Sequence, residues 1–418
     1  MVDCPDGRGD GAAREMNESK PPVLPGSAGR RTLLWAVLFN LAFVAAAVVG
    51  LEVYLRRQET YLVSQGGGHL SHLVLASDEL FMRTVKGRRL LPNAHVVIKN
   101  HRLSKIPNIP MDINSNGFRG PEIAKEKPPG DYRILVLGDS ITWGDALPDE
   151  LVYVRRMEAA LRELLPGRAL TVINGGIGDV GTTEEVDILE ERGLQVLPDL
   201  VVLEWYLNDS RPPWGFSGEL GGRGWLRGHS ILAEKLYTYL RLDSWLLKDK
   251  GERRFRWARD AQTLPWADDH AAFLRLASEA NYDWGAAWDP ASWRVIEDRF
   301  DRLQALAARH DFQVAVVAFP VRFQVEAHFV DDSPQERVGA LSRARGFWYH
   351  NLLPGLREHR DEDLFYDQCH PRPGGNELIG REIARFLAPL IRGRDERTDG
   401  EPASSPLPGG PTPGSDPR

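Results

Sequence analysis

Four short blocks of this sequence carry residue types that could together attack an acyl carbon. Gly138-Asp139-Ser140 offers a hydroxyl directly after the apolar run 134–137. Serine is a weak nucleophile until a base takes its proton, and the oxyanion that develops on the attacked carbon needs hydrogen-bond donors. Asp367-Gln368-Cys369-His370-Pro371 contains a base and a carboxylate on one compact loop. An Asp three residues before a His can accept from the imidazole and fix its tautomer, which leaves the other ring nitrogen to take the Ser140 proton. Between these blocks lie the glycine-rich turn Asn174-Gly175-Gly176-Ile177-Gly178-Asp179-Val180-Gly181 and the stretch Glu204-Trp205-Tyr206-Leu207-Asn208-Asp209. A glycine turn can bring a backbone N–H close to a substrate, and the Asn208 amide is a donor of the kind that stabilises an oxyanion. Each block has a plainer reading in isolation: a loop, a strand-to-helix turn, a helix cap, a surface His among eleven histidines.

What gives the blocks weight is the set of elements that must position them. Short β-branched runs at 134–137, 170–173, 200–203 and 313–319 alternate with helical patterns, the signature of a parallel sheet covered by helices. Ser140, the glycine turn and Asn208 each follow one of these runs, at the strand ends where ligands bind in open α/β folds. Trp293, Ile296, Phe300, Leu303 and Leu306 recur at three- and four-residue spacing, so their helix should pack on the sheet. A fifth strand is expected at 364–366 and a closing helix at 376–387.

Composition narrows the rest. The 418 residues are 42% hydrophobic and 27% charged with a net charge of -7, enough for a large core and without the basic surface that a nucleic acid would need. The two cysteines, Cys4 and Cys369, rule out a disulfide framework, and Cys369 reads as a packed small residue rather than a nucleophile. His69 and His72 have helical metal spacing, but no partner cluster accompanies them, and no metal or cofactor is expected.

Residues 1–31 read as a flexible cytoplasmic tail, and 32–51 contain no charge, which spans a bilayer core at about 1.5 Å per residue. A transmembrane anchor over 32–55 is therefore expected. The competing reading is a cleaved signal peptide, with Ala45, Ala46 and Ala47 as its small-residue site, although the apolar run continues past them. Arg14, Lys20, Arg30 and Arg31 precede the span, against Arg56 and Arg57 after it, so the N-terminus should stay cytoplasmic and the remainder face outward. Residues 56–130 read as a stalk and lead-in, with a tight turn at Asn116-Gly117. The catalytic domain should cover 131–392, and the Gly-, Pro- and charge-rich 393–418 should be a disordered tail.

With all four blocks read in order, the sequence resembles the SGNH/GDSL hydrolase family, whose named Ser, Gly, Asn and His fall in successive blocks. The resemblance covers roughly 130–390, and the stretch Asn114-Ser115-Asn116-Gly117-Phe118-Arg119-Gly120 is similar to the lead-in of bacterial membrane-anchored members. It implies a flavodoxin-like three-layer α/β/α sandwich with a five-stranded parallel sheet. It also implies Ser140, Asp367 and His370 as catalytic residues, with Ser140, Gly178 or Asp179, and Asn208 as the oxyanion hole. Two positions depart from the pattern. In ungapped register the second-block glycine falls on Asp179, one residue after Gly178, and Tyr206 stands where the third block usually has glycine, a bulk expected to narrow or reshape the acyl pocket.

The implied activity is an esterase or O-acyltransferase acting on acyl, above all acetyl, groups of envelope or secreted polysaccharide. Lipid or thioester hydrolysis is the alternative within enzymes, and an inactive anchored binding or scaffold module the alternative outside them. An insertion at about 210–290 holds Trp214, Trp225, Trp245, Trp257, Trp266, Trp284 and Trp288, either a sugar-stacking wall or, more simply, the core of a small helical subdomain. Leu232, Leu236, Leu240 and Leu247 lie near one helical face there, suited to core packing.

Overall fold

A computed structural model describes residues 27–65, 80–84, 87–99, 101, 103–144, 146–178, 180–209, 211, 230–233, 236, 240 and 256–400. The chain divides into two compact units, Met1–Tyr54 and Leu55–Arg418. Helix α1 (Ser27–Gln65) contains the stretch Arg31–Arg57, long and apolar enough by length and composition to cross a membrane. Its large side chains, among them Leu33, Trp35, Phe39 and Phe43, are exposed rather than packed. A soluble helix buries such a face, so only an apolar medium or a partner would suit this one.

The second unit is built on a five-stranded sheet of β5 (Tyr132–Leu137), β6 (Leu170–Asn174), β7 (Leu200–Tyr206), β8 (Gln313–Phe319) and β9 (Trp348–Asn351). It is preceded by two hairpins, β1 (Phe81–Thr84) with β2 (Gly87–Leu90) and β3 (His95–Lys99) with β4 (Asn108–Asp112). The sheet order is β6-β5-β7-β8-β9 and every pair is parallel. This is the flavodoxin-like order, reversing between β5 and β7. Every residue of β5 and β7 is buried, which explains their near-continuous apolar runs: a parallel strand with helices on both faces has no solvent side.

Behind β5 come α2 (Ser140–Trp143) and α3 (Tyr153–Leu164), and behind β6 comes α4 (Thr182–Glu191). Then follow α5 (Arg256–Asp260), α6 (His270–Glu279), α7 (Trp293–His310), α8 (Arg322–Glu326), α9 (Ser333–Ala344), α10 (Leu353–Arg357) and α11 (Pro373–Gly400). α3 packs against α11, and α4 and α9 pack against α7, which completes three layers. The apolar stripe of α7 is buried at all five expected positions, Trp293, Ile296, Phe300, Leu303 and Leu306.

Three expectations need correction. The fifth strand is β9, not 364–366, where only an isolated bridge pairs Phe365 with Pro371. Trp-Tyr-His-Asn at a sheet edge is half-buried throughout and lacks the apolar run that marks an inner strand, whereas Leu364 and Phe365 are apolar because they pack beneath a loop. The closing helix begins at Pro373 and continues to Gly400, past Arg392, as the Arg and Glu content of that stretch permits. The described lead-in is no stalk: Leu90, Ile109, Met111, Ile113 and Phe118 belong to the same core as the sheet. The Asn116-Gly117 turn forms as expected, with Asn114 Oδ1 accepting the Asn116 and Phe118 N–H groups.

Of the aromatic insertion, Trp257 and Trp284 are buried, and Trp266 and Trp288 pack against the core. Trp257, Trp266 and Trp284 surround Phe323, so these rings fill a subdomain core. Leu236 and Leu240 are exposed, and Trp214, Trp225, Trp245, Leu247, His69 and His72 lie outside the described residues.

Candidate active site

Ser140 opens α2 directly after β5, and its backbone N–H heads a first turn in which such groups have no intrahelical partner. Asp139 caps that turn, its Oδ1 accepting the Ile141 N–H at 2.8 Å. Asn208 follows β7, so Ser140 and Asn208 flank the point where the strand order reverses, the usual ligand crevice of such sheets.

The fourth block closes the arrangement. His370 Nε2 lies 2.9 Å from Ser140 Oγ, and His370 Nδ1 lies 2.8 Å from Asp367 Oδ2. The Cys369 and His370 N–H groups donate to Asp367 Oδ1 at 3.0 and 2.9 Å. Burial pushes the Asp367 carboxyl up, but the hydrogen bond and charge of His370 and these two N–H groups outweigh it and hold it at about 2. The carboxylate is thus ionised at any working pH and selects the tautomer with the proton on Nδ1, leaving Nε2 to accept from serine. Ser140, Asp367 and His370 are all partly exposed, as a site open to substrate must be.

Cys369 is buried, and burial first, then the charges of Asp367, Asp139 and Asp283, push its thiol well above the ordinary range. It stays protonated, unfit for nucleophile or ligand. Asp367, Cys369 and His370 do converge closely enough to suggest a metal, yet Asp367 and Ser140 already engage both ring nitrogens of His370.

The second block is held against α2. Asn174 Nδ2 donates to Thr142 O at 2.9 Å, its Oδ1 accepts the Gly176 N–H, and the Ile177 N–H donates to Gly138 O. A Cβ on Gly176 would overlap the α2 backbone at Thr142 and Trp143, so only glycine lets the turn approach this closely. Gly178 follows on this turn, its carbonyl 3.4 Å from Arg88 Nη1, while Asp179 lies outside the described residues. Asn208 follows β7 and is partly exposed, with its side-chain amide close enough to Asp139 to offset part of the rise that burial gives that carboxyl's pKa. Its amide carries N–H donors of the kind an oxyanion needs.

Tyr206, the bulky departure in the third block, does not face solvent. It is fully buried, and its hydroxyl lies beside the Cys369 thiol beneath the dyad loop. Sequence reasoning also passed over Arg119, Asn376 and Glu204. The buried Arg119 guanidinium donates to the Trp143, Gly144 and Leu147 carbonyls and so ties the lead-in to the end of α2. A Glu inside the apolar run of β7 was the visible signal for Glu204, since a charge there requires partners.

Four carboxyls, Asp139, Glu185, Glu204 and Asp209, are buried around this loop. Both Glu185 oxygens lack a hydrogen-bond partner. Burial first, then the charges of Asp209, Glu204 and Asp139, raise Glu185 well above 4.5, so the folded protein keeps it protonated. A raised carboxyl pKa lowers stability as pH climbs from the unfolded-chain value toward the folded one. Glu185→Leu should therefore stabilise the fold at neutral pH by about 1–3 kcal/mol, the cost of an unmet buried polar group. Urea denaturation at several pH values checks this; the gain should shrink toward pH 4.5.

No protein-family model and no curated protein matches the sequence. Among solved structures, the chain is similar to an alpha/beta hydrolase enzyme from the metagenome of Lake Arreo, Spain, at 14% identity and a TM-score of 0.36, covering 62% of this chain and 94% of that one. It is similar to a two-domain esterase active on acetylated mannans at 18% identity and a TM-score of 0.35, covering 67% of this chain and 54% of that one. A catalytic mutant of an acetylxylan esterase from Geobacillus stearothermophilus is similar at 15% identity and a TM-score of 0.35, with 63% and 96% covered.

Proposed function

We propose that this chain is a serine esterase in which Ser140 attacks an ester carbonyl, His370 acts as base and then acid, and Asp367 orients His370. The observation that carries this reading is the unbroken hydrogen-bonded line from Ser140 Oγ through His370 to Asp367. As the Ser140 oxygen bonds to the carbonyl carbon, its proton passes to His370 Nε2. The negative charge on the carbonyl oxygen is met by the Ser140 N–H, the Gly178/Asp179 turn and an Asn208 amide N–H. His370 returns the proton to the departing alkoxide, and water or a sugar hydroxyl then cleaves the acyl-enzyme by the same steps in reverse.

Asn208→Ala should lower kcat about 10²- to 10³-fold with little change in KM, since its bond strengthens only as the oxyanion forms. Steady-state kinetics on a nitrophenyl ester provide the test, and an unchanged kcat removes Asn208 from the oxyanion hole.

The substrate we propose is an O-acetylated polysaccharide of the envelope or secreted matrix, met by a domain that α1 anchors on the outer face of a membrane with the N-terminus cytoplasmic. The family resemblance, the apolar face of α1 and the excess of basic residues before the span support this. A chain-length series of nitrophenyl esters, run with and without a polysaccharide acceptor, decides acyl size and transfer together. Rates that rise with chain length would favour a lipid or thioester substrate. Failure of the folded wild type to label with a fluorophosphonate would instead leave an inactive binding module.

A further inference from the structure

Ser140 and His370 come from loops 230 residues apart, and a buried polar path links the two. At one end, Glu204 Oε2 accepts the Asp139 N–H at 3.0 Å and the Thr142 hydroxyl at 2.8 Å, binding β7 to both sides of Ser140. Thr142 has spent its proton on Glu204, so the Tyr153 hydroxyl, 2.6 Å away, donates to it. The backbone N–H of the same Tyr153 donates to Asn376 Oδ1 at 2.8 Å, and Asn376 Nδ2 donates to Pro371 O at 2.8 Å and Arg372 O at 3.1 Å, the two residues after His370. Thr142, Tyr153, Glu204 and Asn376 are all at least 98% buried.

We propose that Glu204, Thr142, Tyr153 and Asn376 form a strut that sets the separation of Ser140 and His370, with Glu204 and Asn376 as positioning residues at its two ends. This rests on the esterase reading only for its kinetic consequences. The composition of the path fits the role. The Asp139 N–H and the Thr142 hydroxyl are donors in a place where an inner parallel strand would ordinarily present an apolar side chain, and Glu204 supplies the acceptor both need. Gly138 completes the fit, because a Cβ there would overlap Glu204 Oε2 and Thr142 Oγ1. Burial, and then the charges of Asp139 and Asp209, keep Glu204 protonated, so it acts as a neutral acceptor whose place an amide can take. Asn376 caps α3 from a distant segment where Val152, the residue before that helix, offers no side-chain cap.

The test uses the full chain and three variants, Glu204→Leu, Glu204→Gln and Tyr153→Phe, with rates expressed per folded protein. Glu204→Leu should lower kcat on nitrophenyl acetate about 10²-fold at nearly constant KM, the loss expected for a displacement of about 1 Å in a reacting pair. Glu204→Gln, which keeps an acceptor in the same place, should restore most of that loss. Tyr153→Phe, which removes one oxygen and remains foldable if Glu204→Leu does not, should lower kcat by less and also spare KM. Crystal structures should show Ser140 Oγ and His370 Nε2 moved beyond about 3.5 Å in Glu204→Leu and Tyr153→Phe. The proposal is overturned if the pair keeps its 2.9 Å separation in both variants, or if the Gln variant loses as much rate as the Leu variant. Should the wild type cleave no ester, the esterase reading fails by itself, and the Ser140–His370 separation alone decides the strut.

Discussion

Ser140→Ala should lower kcat about 10⁶-fold, the scale on which a triad fails when its nucleophile is removed. The loss is this large because the Ser140 Oγ is the hydroxyl that His370 Nε2 meets, at 2.9 Å. A residual rate should survive, since the oxyanion donors still bind the transition state for direct attack by water. Folding should be untouched, because the removed oxygen lies on a partly exposed residue. Active-site titration with a fluorophosphonate gives a second readout: wild type should label once per chain and the variant not at all. Equal esterase rates in the two purified proteins would end the assignment.

Asp367→Asn should lower kcat about 10⁴-fold, because an amide in that place can stabilise the tautomer with the proton on Nε2, where no base is left for serine. The pH dependence carries a second signature. The folded carboxyl sits at about 2, below its ordinary 3.8, so its ionisation contributes stability that is complete above pH 3.8 and is lost as pH falls toward 2. Acid unfolding of wild type should include this component, and that of Asp367→Asn should lack it. The kinetic profile of wild type should show no step from Asp367 above about pH 3, which follows from the same value. A variant with near wild-type kcat at neutral pH would show that Asp367 does not orient His370.

The sequence carried the parts of this fold that burial writes in repetition. Strands β5 to β8 were legible because a parallel strand covered on both faces needs an apolar residue at nearly every position, and α7 because its stripe recurs at helical spacing. β9 was not, since an edge strand of Trp-Tyr-His-Asn obeys neither rule. The candidate site residues were legible as ordered blocks, three of them following β5, β6 and β7 and the fourth on the loop before α11. The residues that hold those blocks in register were not, because Arg119, Asn174 and Asn376 act through distant backbone groups with no spacing in the chain to betray them. The burial of Tyr206 was not legible for a related reason: position in a block tells which strand end a residue occupies, and not whether its side chain is buried.

The grip of Arg119 on the end of α2 bears on how such a protein can be inherited in pieces. Its guanidinium satisfies three carbonyls across the end of α2, and its backbone N–H pairs with Asn174 O at 3.2 Å, so residues from the first hairpin onward share one fate with the sheet. Recombination that exchanged the N-terminal helix for another anchor, or for none, would preserve the fold only with a crossover upstream of Leu80. The lead-in and the sheet are therefore one heritable module, and the apolar helix is the portable part.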